Sequence, residues 1–327
     1  MPTRERLLVS LACAVAFAVS GSAAAQVYPT RPITMVVPFP AGGPTDVIAR
    51  IAADRMRGSL GQSIIVENVT GASGSIGVGR VARATPDGYT LSLGTWSTHV
   101  VNGAALALTY DVLNDFEPVG LIVHSPMLMT ARKTIPARDL QELVAWLRAN
   151  PDKATQGTAG IAGASHLAGI LFQKLTGTRF QFVPYRGVGP AIQDTIAGRV
   201  DLMFDYVPNS LPHVRAGSVK VHAILAKSRL GTAPDIPTVD EAGVPGLYVS
   251  SWQSIWVPKG TPKPVTSRLN AAVVEALNDP GVRQRLTDLA QAIPQREEQT
   301  PEALGTLQKA EVDKWWPIIK AAGIKAE

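Results

Sequence analysis

Along the chain, short apolar runs alternate with stripes of helical spacing. Ile33 to Val37 is a run of mostly β-branched residues with Thr34 as its one polar member. Comparable runs recur at 63–68, 89–93, 118–130, 180–185, 200–204, 219–226 and 252–257. Between them, apolar residues repeat every three or four positions. Val47, Ile48, Ile51, Ala52 and Met56 form one stripe, and Leu140, Leu143, Val144 and Leu147 form another. Leu269, Val273 and Leu277, and later Leu304, Leu307, Trp315 and Ile318, predict a helical C-terminal part. Glu297, Glu298, Glu302 and Glu311 are expected to face solvent there. Strands alternating with helices predict βαβ units and a largely parallel sheet.

The stretch from Ile33 to Ile48 reads as a strand, a Pro/Gly loop and a first helical turn. Pro38 and Pro40 stop ladder pairing, and Gly42 and Gly43 permit a tight turn with bare backbone. Pro44 suits a first helical position, and Asp46 lies where a carboxylate complements the helix dipole. N–H groups at such a junction favour an anion. The same unit type recurs at 154–177, with Ser165 as a natural N-cap, and at 180–198, where the loop Arg186–Gly189 precedes a helix from Pro190. The third strand opens into a loop carrying Thr95, Trp96, Thr98 and His99, and the strand at 200–204 delivers Asp205 at its end.

A chain of 327 residues exceeds the usual size of one core, so two domains are expected. The expected limits are 26–125 for the first domain, 126–247 for the second, and 248–327 as a return to the first. Residues 1–25 read as a secretory leader: Arg4 and Arg6, an apolar stretch from Leu7 to Val19, then small residues at 22–25. Cleavage there removes Cys13, the single cysteine, leaving no disulfide, thiol nucleophile or thiolate metal site. No other apolar run reaches membrane-spanning length. The mature protein is therefore expected to be exported, soluble and monomeric.

The net charge of +5 is scattered, without a basic run or a basic face interleaved with aromatics, so nucleic acid is not an expected partner. Gly71-Ala-Ser-Gly-Ser75 and Gly163-Ala-Ser-His-Leu167 lack the closing glycine of a nucleophile elbow. The five histidines show no metal-binding spacing. Neither a G-x-G-x-x-G order nor a P-loop occurs, so no cofactor is expected. What survives is a set of polar strand-end loops: Phe39–Asp46, Thr95–His99, Thr158–His166, Tyr185–Gly189 and Asp205. In an open α/β sheet ligands bind beyond the carboxyl ends of strands. Hydroxyls of Thr45, Thr95, Thr158 and Ser165, with backbone N–H groups, could hold carboxylate oxygens. For each residue alone, capping or turn formation is the plain alternative.

Eight stretches carry a family resemblance: Tyr28–Pro32, Val37–Asp46, Pro86–Tyr89, Phe182–Gly187, Gly198–Asp205, Leu211–Gly217, Pro237–Gly243 and Lys320–Ile324. In this order they resemble the Bug family, extracytoplasmic receptors of tripartite tricarboxylate transporters. The resemblance implies an α/β, two-domain periplasmic binding protein of the Venus flytrap, type II-like kind. It has a mostly parallel sheet in each domain, and crossover strands. It also implies a non-enzymatic receptor for a small carboxylate, with transporter membrane subunits as partners. Carried over residue by residue, it nominates Phe39, Gly43, Thr45 and Asp46 from the first domain. From the second it nominates Ala164, Ser165 and His166, with Tyr185 and Asp205 as pocket walls. Trp96 stands where a smaller or more polar residue is expected, so it either shapes the variable end of the pocket or packs at the hinge edge. A periplasmic carboxylate sensor without transport would use the same pocket and is the alternative reading.

Overall fold

The computed structural model describes residues 28–160, 163–185 and 187–324. The leader expected over residues 1–25, with its Cys13, and the loop residue Arg186 lie outside the described residues.

Strand β1 (Ile33–Val37) pairs in parallel with β2 (Ile64–Asn68) and with β3 (Thr90–Thr95). Its side chains alternate between two cores. Ile33, Met35 and Val37 enter one, whereas Val36 enters the other. A strand covered on both faces needs an almost unbroken apolar run, as the sequence has here. Helix α1 (Pro44–Leu60) follows β1, and α2 (Ser75–Ala82) follows β2.

Strand β4 (Phe116–Arg132) then runs for 17 residues and serves both halves of the molecule. The second half repeats the parallel arrangement, with β5 (Thr155–Thr158) between β6 (Gln181–Pro184) and β7 (Leu202–Tyr206). Helices α3 (Leu140–Ala149), α4 (Ala164–Thr176) and α5 (Val188–Ile196) precede or connect these strands. Helix α6 (Val207–Arg215) leads from β7 to β8 (Val219–Ile224). Strand β9 (Ser250–Pro258) returns to the first half, followed by α7 (Lys263–Asn278), α8 (Pro280–Asp288) and α9 (Pro301–Ala321).

The sheet order is β2-β1-β3-β9-β4-β7-β5-β6, with β8 also paired to β4. Among the described residues, every antiparallel pairing between named strands involves β4 or β9. Strand β4 pairs with β9 as far as Pro126, opposite Ser250, and with β7 from Met127 onward. Proline has no N–H to give a ladder, so Pro126 stands where the strand changes partners at no loss of a hydrogen bond.

Two local expectations are corrected. The N-cap of α4 is Gly163, and Ser165 lies inside the helix; α5 begins at Val188, ahead of Pro190. A third concerns Glu311, which is half-buried and does not simply face solvent. Its Oε2 accepts the indole N–H of Trp96 at 2.7 Å and that of Trp315 at 2.9 Å. The two rings meet edge to face at 5.4 Å between centroids. Burial pushes the Glu311 carboxyl above its ordinary range, partly offset by Lys314 and the two indoles. Both tryptophans are sealed from water, so their N–H groups have no alternative acceptor.

Glu311→Ala is expected to cost about 2 kcal/mol in a denaturant titration, the order of leaving buried donors unpaired. Glu311→Gln keeps an oxygen with two lone pairs and should cost much less. It should also remove a loss of stability that the wild type shows as pH rises through the elevated folded pKa, since the buried state there favours the protonated acid. Equal destabilisation by the two variants would show that the indole pairing contributes little.

Candidate functional site

A cavity of about 490 Å³ lies where the two halves meet. Its first wall is the β1–α1 loop and the start of α1, through Phe39, Gly42, Pro44, Thr45, Val47 and Ile48. Gly42 has φ +78°, a left-handed conformation that glycine reaches without a Cβ clash. Gly43 is the extended N-cap residue, and Pro44 enters the first turn. This loop is held from beneath by Asp46. Oδ2 of Asp46 accepts the Gly42 N–H at 2.8 Å and Arg50 Nε at 2.9 Å, and Oδ1 accepts Asn68 Nδ2 at 3.0 Å. Asn68 also donates to the Phe39 carbonyl at 3.0 Å. The Arg50 hydrogen bond, with help from Gly42 and Asn68, holds the Asp46 carboxyl down at about 2 despite its burial.

The β3 loop supplies Thr95 and Ser97. Thr95 N–H donates to Thr98 Oγ1 at 2.9 Å, and Thr98 N–H donates back to Thr95 Oγ1 at 3.2 Å. This reciprocal pair fixes the turn and buries Thr98 completely. His99 beneath it is also sealed, stacked on Trp256 at 4.9 Å, and desolvation lowers its pKa to about 3. It is a neutral packing residue.

The opposite wall comes from the β7–α6 junction, through Tyr206, Pro208 and Asn209. Asp205 holds this junction as Asp46 holds the first. Its carboxylate accepts the Tyr206 N–H at 2.7 Å, the Ser210 hydroxyl at 3.0 Å and Asn209 Nδ2 at 3.3 Å. Burial pushes the Asp205 carboxyl up while those bonds pull it down. The Tyr206 phenol, also raised by burial to about 12, stays a neutral donor.

The crossing strands make the floor, with Ser125 on β4 and Ser251 and Gln253 on β9. Ser251 and Gln253 share one face of β9 by strand alternation. Gln253 Oε1 is buried with no hydrogen-bond partner among the described residues. The last side is the segment after α8, with Leu289 and Gln291. Helix α8 ends in a Schellman pattern: Ala290 N–H donates to Thr287 O at 2.8 Å and Gln291 N–H to Leu286 O at 3.0 Å. Ala290 holds the left-handed position, φ +51°, normally given to glycine. Reciprocal bonds of 2.8 Å between His124 and Ala292, and one from the Ser125 hydroxyl to Gln291 Oε1, pin this segment to β4.

Of the residues nominated from sequence, Phe39, Thr45 and Thr95 line this cavity, and Gly43 caps the helix that borders it. Asp46, Thr98 and Asp205 sit behind the walls as buried supports. Trp96 is 2% exposed and bonded to Glu311, so its indole packs in the core and is not on the wall. Thr158, Ala164, Ser165, His166 and Tyr185 cluster elsewhere in the second half. Ser165 Oγ accepts the Ala159 N–H at 2.8 Å, His166 packs edge-on against Phe182, and the Tyr185 hydroxyl donates to Asp194 at 2.8 Å. Sequence reasoning passed over Tyr206, Pro208, Asn209, Ser125, Ser251, Gln253, Leu289 and Gln291. One available signal was Pro208 two residues past the end of a strand, the same punctuation as Pro44.

Among the described residues, none that lines the cavity is charged. Two helix N-termini, of α1 and α6, reach it from opposite halves. N–H groups and hydroxyls around a neutral wall suit a small anion held without a cationic clamp.

Such a cleft between two α/β units joined by crossing strands defines a two-domain periplasmic binding protein, and solved structures of that kind share this fold. Residues 48–324 match the model of the tripartite tricarboxylate transporter family receptor, and the chain belongs to that family. A UPF0065 protein from the TAR-I ttuE-ttuC' intergenic region of Agrobacterium vitis is 41% identical, covering 90% of this chain and 86% of the relative. Protein BugT of Bordetella pertussis is 33% identical over 98% of both chains, consistent with the Bug-type motifs. Among solved structures, MatC from Rhodopseudomonas palustris with bound malate is 40% identical, with TM-score 0.71, covering 89% of this chain and 100% of MatC. A second R. palustris protein, solved with adipate, is 33% identical with TM-score 0.73, covering 91% and 99%.

The Asp46 support makes a pH-dependent prediction. Its folded pKa of about 2 lies below the ordinary 3.8, so its contribution is present above the ordinary value and lost as pH falls through about 2. Asp46→Asn should cost about 2 kcal/mol at pH 7, the scale of hydrogen bonds to a charged group. Thermal melts from pH 7 to pH 2 should show the gap between wild type and variant closing at the acid end. A gap that stays constant with pH would remove the charge from this account.

Proposed function

We propose that the protein is an extracytoplasmic receptor that captures a small carboxylate between its two domains for a tripartite tricarboxylate-type membrane transporter. The observation that carries the reading is the meeting of two helix N-termini, from opposite halves, at one cavity on the crossing strands whose described lining residues carry no charge. Carboxylate oxygens would take N–H groups and the hydroxyls of Thr45, Thr95 and Ser97. Malate and adipate bound to relatives support the same ligand class. In this reading the domains are residues 26–125 with 248–327, and 126–247, and residues 1–25 are a leader cleaved on export to the periplasm.

Binding draws the second domain over the ligand, bringing the loops at Thr158, Ala164–His166 and Tyr185 toward the cleft. A ligand that touches both domains favours the closed state by its extra contacts there. The protein then acts by delivery, without turnover, as a monomer that meets its membrane subunits only in passing.

The test is native mass spectrometry of the purified protein, then thermal-shift screening of mono-, di- and tricarboxylates. A ligand binding only the folded state raises Tm by mass action. At least one carboxylate class should raise Tm, and Thr45→Val should weaken that ligand roughly tenfold, the scale of one lost hydrogen bond. Absence of any carboxylate shift or co-purified carboxylate mass would refute the reading.

A further inference from the structure

We infer that Gln253 is the specificity-determining residue of the cleft, reading a hydroxyl on the ligand carbon next to a carboxylate. This rests on the carboxylate reading above and concerns which residue of this chain selects among carboxylates. Gln253 lies on the returning strand β9, where the ladder sets it opposite Thr95 of β3 on one side and Val123 of β4 on the other. It is 7% exposed and lines the cavity.

Its carboxamide is unpaired at both ends. Oε1 is sealed from water with no donor to it, and Nε2 donates to no acceptor among the described residues. The other described amides on the cavity wall are engaged. Asn209 donates to Asp205, and Gln291 accepts from Ser125 and donates to the Leu289 carbonyl. A buried amide without partners is costly, and native proteins leave few of them. Gln253 is therefore an amide that the wall itself does not use, held where a ligand arrives.

Residues directly opposite in an antiparallel pair share one face, with Cβ atoms about 4.5–5.5 Å apart. A carboxylate held at the Thr95 hydroxyl thus places its own oxygens and its adjoining carbon beside Gln253. A carboxylate accepts hydrogen bonds but cannot donate, so by itself it pairs Nε2 and leaves Oε1 stranded. A hydroxyl on the adjoining carbon supplies the missing donor. Hydroxyl to Oε1 and carboxylate to Nε2 make a two-point match to a planar amide. Because neither end is bonded within the protein, a half-turn of the amide plane offers either end to the ligand and breaks no hydrogen bond.

The test is calorimetric titration of the purified wild type and of Gln253→Met with matched pairs of acids: malate and succinate, citrate and tricarballylate, mandelate and phenylacetate. Members of a pair differ by one hydroxyl beside a carboxylate. In the wild type, the hydroxylated member of a pair that binds should be roughly tenfold tighter than its partner, the scale of one hydrogen bond. In Gln253→Met that preference should fall to within about threefold, through a larger loss for the hydroxylated member. Methionine keeps the length and removes the unpaired amide, so the unliganded variant should melt at or above the wild-type temperature. A glutamine serving only the fold would lower it when replaced. A hydroxyl preference that survives in Gln253→Met, an equal or tighter grip of the wild type on the acids without the hydroxyl, or a clear drop in melting temperature overturns this inference and leaves the receptor reading standing. No binding of any of these acids also overturns it, and reaches the receptor reading only if the wider carboxylate screen is silent too.

Discussion

The fold depends on one strand being shared. Strand β4 gives its first part to β9 and its last part to β7 and β8, so the two half-sheets are joined by main-chain hydrogen bonds and not merely by a linker. That continuity places the ends of β3 and β7 on a common cleft. The exchange of partners falls at Ser125–Pro126, where proline interrupts the ladder. One apolar core reinforces the joint: Trp256 and Trp315 share it with Leu143, Phe172 and Phe204 of the second half.

Among the described residues, the cavity keeps its carboxylates behind its walls. Asp46 and Asp205 lie behind the two walls and spend their oxygens on backbone N–H groups and neighbouring side chains. Asp46 is balanced by Arg50, and burial favours the neutral form of Asp205. The electrostatic preference at the cavity is therefore set by helix ends and hydroxyl dipoles, which act at short range and need no mobile cation.

The first wall was legible because its signals are local. Pro38, Pro40, Gly42, Gly43 and Pro44 each restrict the backbone in a way that depends only on neighbouring residues. The loop at Thr158–His166 carried similar glycine and hydroxyl signals, yet in this arrangement Ser165 serves the Ala159 N–H and does not face the cavity. Trp96 shows the same ambiguity: an indole beside a cleft reads as a pocket wall until its acceptor, Glu311, is known from 215 residues away. Glu311 in turn reads as a solvated charge on helix α9 until the two indoles meet it.

The sequence by itself determined the alternation of strands and helices, the parallel half-sheets and the Pro/Gly turn at the start of α1. These follow from side-chain periodicity and backbone restriction, both set within a few residues. Only the tertiary structure decided which side chains share the cavity. Leu289 and Gln291 reach it because the end of α8 is bonded to β4, and Gln253 because β9 returns beside β3 after a long excursion through the second half. Neither juxtaposition has a local signature, since it depends on which distant strands pair.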